Sequence, residues 1–145
     1  MDKNSAAVYG GIFDSIEAAQ DYMKLVDGKP KRFMDEMYLK GDFSGRIEIR
    51  FFDKQTNKAE VLLNELPYSD RLISFLQEAF LNKLKRTVNT VIVIYDFYLG
   101  AEHMTGHTYK QMSEKKTDDH YIFHVANIFP YDMEEYKRSE AADAE

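Results

Sequence analysis

Arg46-Ile47-Glu48-Ile49-Arg50-Phe51 alternates charged and apolar residues without a break. Successive side chains of a β-strand point to opposite sides. Ile47, Ile49 and Phe51 therefore share one face, and Arg46, Glu48 and Arg50 share the other. A strand with one apolar and one charged face suits an antiparallel sheet whose core lies on one side and water on the other. The pattern predicts helices packed on a single face of that sheet.

Upstream, Val8-Tyr9-Gly10-Gly11-Ile12-Phe13-Asp14-Ser15 reads as a strand over residues 6–13 that turns straight into a helix. Asp14 is the expected N-cap, with Glu17 three positions on as in a capping box. Adjacent glycines weaken a strand unless a bulge or a close backbone approach demands them. Ile16, Ala19, Tyr22, Met23 and Val26 recur at helical steps, and Asp27-Gly28-Lys29-Pro30 is the expected stop. Phe33, Met34, Met37 and Tyr38 mark a short second helix within residues 31–39.

Downstream, residues 59–66 offer a helical turn closed by Pro67. Ser69 then caps an amphipathic helix whose stripe runs from Leu72 to Leu84 and ends at Lys85-Arg86. Residues 91–99 are nearly all apolar and rich in β-branched side chains, as in a central strand covered on both faces. His120 to Phe129 is the last strand, most simply paired antiparallel to that central one. The order β-α-(α)-β-α-β-β predicts a single α+β domain over residues 1–145, with a mostly antiparallel sheet of about four strands. Residues 6–131 form its core, and the acidic tail 132–145 is expected to fray.

Length and composition agree with one core: 145 residues, 44% hydrophobic and 30% charged. Ten Phe, ten Tyr and seven Met fill a dense interior and leave some to serve as contact surface. A net charge of −6 opposes binding to nucleic-acid phosphates and suits a basic protein partner. The absence of cysteine excludes disulfides, thiolate metal sites and Cys nucleophiles. No apolar run reaches the length of a membrane span or signal-peptide core, so a cytoplasmic protein with no membrane partner is expected.

Chemistry-bearing patterns are sparse. His103 and His107, and again His120 and His124, are four residues apart. On a regular strand the second pair share a face but sit about 13–14 Å apart, too far to ligate one ion. Gly106 works against a helix that would align the first pair. Asp96 interrupts the apolar strand. It either reaches solvent at a strand end or, beside Tyr95, Tyr98 and His124, forms a polar site. No nucleophile elbow or phosphate-binding loop is present. No catalytic residue, cofactor or metal is assigned, and binding is expected rather than catalysis.

Four segments resemble the immunity protein 22 family of bacterial polymorphic toxin systems. They are Val8 to Phe13 with Tyr22, then Lys31-Arg32-Phe33-Met34 with Glu36. Leu66, Tyr68 and Ser69 follow, and last come Asn89 to Tyr98 with Phe129-Pro130-Tyr131. The resemblance implies an inhibitor that sits in the producing cell and neutralises a cognate toxin, possibly a nuclease, by direct contact; a monomer or weak homodimer is expected. Two surfaces are candidates for that contact. One is the acidic side of the 100–119 connection (Glu102, Asp118, Asp119), since long connections in compact domains are often functional. The other is the charged face of the alternating strand (Arg46, Glu48, Arg50). Two alternatives come from other classes. One is a small-molecule-binding protein or enzyme with a pocket near Asp96, Tyr98 and His124. The other is an adaptor that dimerises through an edge strand.

Overall fold

The computed structural model describes residues 6–37, 39, 41–80, 87–98 and 114–128. The order is β1 (Ala6–Ile12), α1 (Ile16–Tyr22), β2 (Leu25–Val26), β3 (Lys29–Pro30), α2 (Lys31–Glu36) and β4 (Ser44–Thr56). It continues with α3 (Ala59–Leu62), α4 (Ser69–Phe80), β5 (Val88–Tyr98), β6 (Glu114–Lys116) and β7 (Tyr121–Ile128). Five strands form one antiparallel sheet in the order β4-β5-β1-β7-β6. The α+β class and the antiparallel sheet are as the sequence predicts.

Three details differ. The last strand does not pair with β5, because β1 lies between them, bonded to β5 on one side and β7 on the other. The fifth strand, β6, comes from the polar connection. Helices also cover both faces of the sheet rather than one. Ala6 and Val8 join Val91, Val93 and Tyr95 in a core under α3 and α4, to which Leu62, Leu63, Leu72 and Leu76 also belong. Ala7 and Tyr9 join Ile92 and Ile94 under α1 and α2, which supply Ala19, Tyr22, Phe33 and Met34. The alternation in β4 reports only its own place at the sheet edge, where Ile47 and Ile49 are partly buried against the α1/α2 core while Arg46 on the other face stays exposed. The inner strands are apolar on both sides, as strands covered twice must be.

Gly10 and Gly11 belong to this central position. A Cβ on Gly11 would lie 2.5 Å from the Tyr121 carbonyl oxygen, and one on Gly10 would lie 3.2 Å from the Phe123 ring. Both glycines let β7 and its aromatic side chains close onto β1. Beyond Ile12, Asn89 replaces the ladder: its side chain accepts from Phe13 N (3.0 Å) and donates to Phe13 O (2.8 Å).

Helix α1 starts one residue later than predicted. Ser15, not Asp14, is the N-cap, with its hydroxyl accepting from Ala18 N at 3.0 Å. It also ends early, at a Met23 cap, so Val26 leaves the helical stripe. Leu25-Val26 instead pairs with Lys29-Pro30 across Asp27 (φ 55°) and Gly28 (φ 79°). Asp-Gly with positive φ at both positions is the preferred two-residue hairpin turn, and it outcompetes another turn of helix. The predicted end of α4 at Lys85-Arg86 and the tail 132–145 lie outside the described residues.

Candidate partner-binding surface

The beginning of β4 meets the end of β5 at a corner built by a β-bulge. Ser44 opposes Tyr98 and Arg46 opposes Tyr95, so β5 carries one extra residue there. Asp96 absorbs it at φ 54°, and Gly45 answers across the ladder at φ 147°. A Cβ on Gly45 would lie 2.8 Å from Ile94 Cγ2. The bulge switches the strand's parity: Tyr95 packs in the α3/α4 core, whereas Phe97, two residues on, packs in the α1/α2 core. Asp96 is thereby turned outward and is exposed.

Tyr95 is the hub of this corner. Its hydroxyl donates to Pro67 O at 2.6 Å, which ties the sheet to the α3–α4 loop. Burial is the main cause holding its phenol well above the usual tyrosine range. The Glu48 charge adds to that effect, and Arg46 opposes it. The Arg46 guanidinium lies 5.1 Å from the Tyr95 ring centroid. The Tyr68 ring sits 6.4 Å away while remaining 47% exposed. Arg46 also approaches Glu48 at 3.8 Å. Arg50 donates to Asn64 O and pairs with Glu65 at 3.3 Å, with its guanidinium over Phe52.

Glu65 (φ 68°) and Tyr68 (φ 58°) join Asp96 in the left-handed region. Four non-glycine residues take that conformation among the described residues, and three of them meet here. Each costs on the order of 1–2 kcal/mol, and such strain collects where a surface must hold a set shape. The sequence marks Arg46, Glu48 and Arg50 as one face. It gives no sign that the α3–α4 loop would set Tyr68 and Glu65 beside them.

The other candidates lie elsewhere. Asp118 and Asp119 are exposed at the β6–β7 turn, where Asp119 reaches Arg32 at 3.7 Å. That turn is at the opposite sheet edge, roughly 19 Å from β4 at the usual strand spacing, so the two candidate surfaces are separate. Glu102, His103, His107 and the Tyr98 side chain lie outside the described residues. Asp96 and His124 do not converge, because β1 separates their strands. His124 packs against Tyr9 (5.1 Å between ring centroids) and bonds Asn127 Oδ1 at 2.9 Å.

His120 is placed by a different set of contacts. It lies just before β7, stacked on Phe13 at 5.1 Å, with Nε2 2.8 Å from Glu36 Oε1 and Nδ1 3.3 Å from the Thr117 hydroxyl. Tyr22 donates to the same Glu36 oxygen at 3.3 Å, and Arg32 pairs with the other at 3.3 Å. This cluster joins α1, α2 and the β6–β7 turn, with both Glu36 oxygens and both His120 nitrogens engaged in that joint. Among the described residues, no three His, Asp or Glu side chains gather as a ligand set for a metal ion. A cleft of about 740 Å³ opens at the far end of the strands, lined by Ile12, Gln55, Thr87, Glu114, Lys115, Lys116 and Tyr121.

No helix among the described residues is long and apolar enough to cross a membrane. Compared with protein-family models, curated proteins and solved structures, the chain finds no match in any of the three.

Proposed function

We propose that this protein acts by covering another protein: an immunity-type inhibitor that neutralises a cognate toxin, possibly a nuclease, by direct contact. The observation that carries the proposal is the corner where Arg46 and Tyr68 both approach the Tyr95 ring within a frame of positive-φ residues. Arg and Tyr dominate the binding energy of protein interfaces, and a frame fixed in advance lowers the entropy cost of docking. Glu48, Glu65 and Asp96 outnumber Arg46 and Arg50 at the corner, which suits a basic partner and fits the net charge of −6. The resemblance to the immunity protein 22 family points to the same activity.

The test pairs the protein with candidate toxin domains, beginning with any that is encoded beside this gene. Co-expression should rescue growth, and calorimetry should give a tight complex with the purified domain. Tyr68→Ala and Arg46→Glu should each weaken that complex by at least about tenfold, as truncated interface anchors do. Full affinity in both variants removes the corner from the interface. No rescue by the wild-type protein removes the inhibitor function.

A second reading is favoured by the cleft beside Lys115, Lys116 and Tyr121. Its volume is within the usual range for small-molecule sites. It lies at the opposite end of the sheet from the pocket expected near Asp96. A thermal-shift screen of small organic anions tests it, with a Lys115→Ala, Lys116→Ala double variant as control.

A further inference from the structure

The two edges of the sheet are built differently. β6 is three residues long and carries Lys115 and Lys116. Short length and lysine are the usual devices that stop an edge from recruiting another strand. β4 runs for thirteen residues, and from Ser44 to Asp53 it contains neither lysine nor proline. Among the described residues no strand adds to its outer side. Its regular stretch against β5, Arg46 to Phe51, faces half-buried Ile47 and Ile49 to one side and Glu48 and Arg50 to the other.

We propose that β4 pairs with β4 of a second copy, antiparallel, across a two-fold axis through Ile49. The charge pattern selects both the occupant and the register. An antiparallel pair related by a two-fold normal to the sheet must set some residue opposite itself, because opposed side chains share a face. With Glu48 on the axis, Glu48 meets Glu48 and Arg46 meets Arg50, so every charged pair repels. With Ile49 on the axis, Glu48 meets Arg50 in both halves and Ile47 meets Phe51, so every charged pair attracts. A strand reading Arg-Ile-Glu-Ile-Arg-Phe thus complements itself at one step of offset. Centring on Ile47 also matches Arg46 to Glu48, but it overlaps fewer regular residues. The pairing would join the two sheets edge to edge. A two-fold normal to the sheet keeps faces together, so both Tyr68 corners would look the same way. The inference does not depend on what the corner binds.

Sedimentation across a concentration series tests the dimer. The wild-type protein should show twice the chain mass at high concentration. Glu48→Arg should halve the apparent mass by placing two guanidinium groups opposite each other in both halves of the pairing, with its circular-dichroism melt showing that the fold persists. The double variant Glu48→Arg, Arg50→Glu should restore the dimer, because exchanging the two charges sets opposite signs across each pair again. Since the chain has no cysteine, Ile49→Cys gives a clean second readout. Mild oxidation should cross-link Ile49→Cys into a disulfide dimer and leave Ile47→Cys uncross-linked. A wild-type protein that stays monomeric at every concentration overturns the proposal. So does a dimer that withstands Glu48→Arg with no cross-link at position 49.

Discussion

Single side chains carry more than packing in three places. The His120–Glu36 pair is nearly enclosed, and His120 also stacks on Phe13, so His120→Ala removes a buried ring and the shortest hydrogen bond to Glu36, leaving that carboxylate to Tyr22 and Arg32. A loss of about 2–3 kcal/mol in urea unfolding is expected. His124 gives a pH dependence. Burial is the main cause holding its imidazole below the usual range, with the Asn127 and backbone hydrogen bonds opposing. The unfolded chain therefore takes up this proton first as pH falls. Stability is full above the ordinary imidazole range and is lost as pH drops through it toward the lower folded value. The urea midpoint should fall between about pH 7.5 and 5.5, and His124→Gln should flatten that slope. Tyr9, Tyr22 and Tyr95 have the opposite sign: burial raises all three phenols. Their contribution is present below the ordinary tyrosine range and is lost above it. In an alkaline absorbance titration, these three should ionise only as the protein unfolds.

At the scale of elements, backbone conformation decides what side-chain periodicity cannot. Gly28 closes the β2–β3 hairpin at φ 79° with open space where a Cβ would go. Gly28→Ala should therefore cost only the left-handed strain, about 1–2 kcal/mol by thermal melt. Gly11→Ala should cost more, because its Cβ would enter the Tyr121 carbonyl and β1 would have to part from β7. Asp96→Gly should be tolerated, since glycine takes φ 54° without strain, whereas Asp96→Val should destabilise by about 1–2 kcal/mol. Asp96 stands out in the sequence as a polar residue in an apolar run. Its cause is the bulge, which turns the strand over and leaves Asp96 exposed. A second register shift, between β1 and β7 near Val8 and Tyr9, similarly lets Val125 and Ala126 both join the α3/α4 core.

For the whole molecule, the central fact is that β1 occupies the middle of the sheet. β5 and β7, from the later part of the chain, both depend on it. Disrupting β1 should therefore abolish the cooperative melt rather than trim one edge. The net charge of −6 adds a further expectation for the proposed complex with a basic toxin: association should slow steeply with added salt while dissociation changes little.

The sequence by itself determined the kinds of element and the chain's broad character. Periodicity and turn chemistry act over a few residues, so the strands at Ala6, Ser44, Val88 and Tyr121 and the helices at Ile16, Lys31 and Ser69 were legible. The charged row Arg46, Glu48, Arg50 could be read for the same reason. Only the tertiary structure decided which strands are neighbours, because the apolar faces of β1, β5 and β7 suit one another about equally. It also decided where the loops fall. Glu65 reaches Arg50 across 15 residues of chain, and the Tyr95 hydroxyl reaches Pro67 across 28, which brings Tyr68 beside the Tyr95 ring. No local pattern encodes such contacts; they exist only once the sheet and helices have packed.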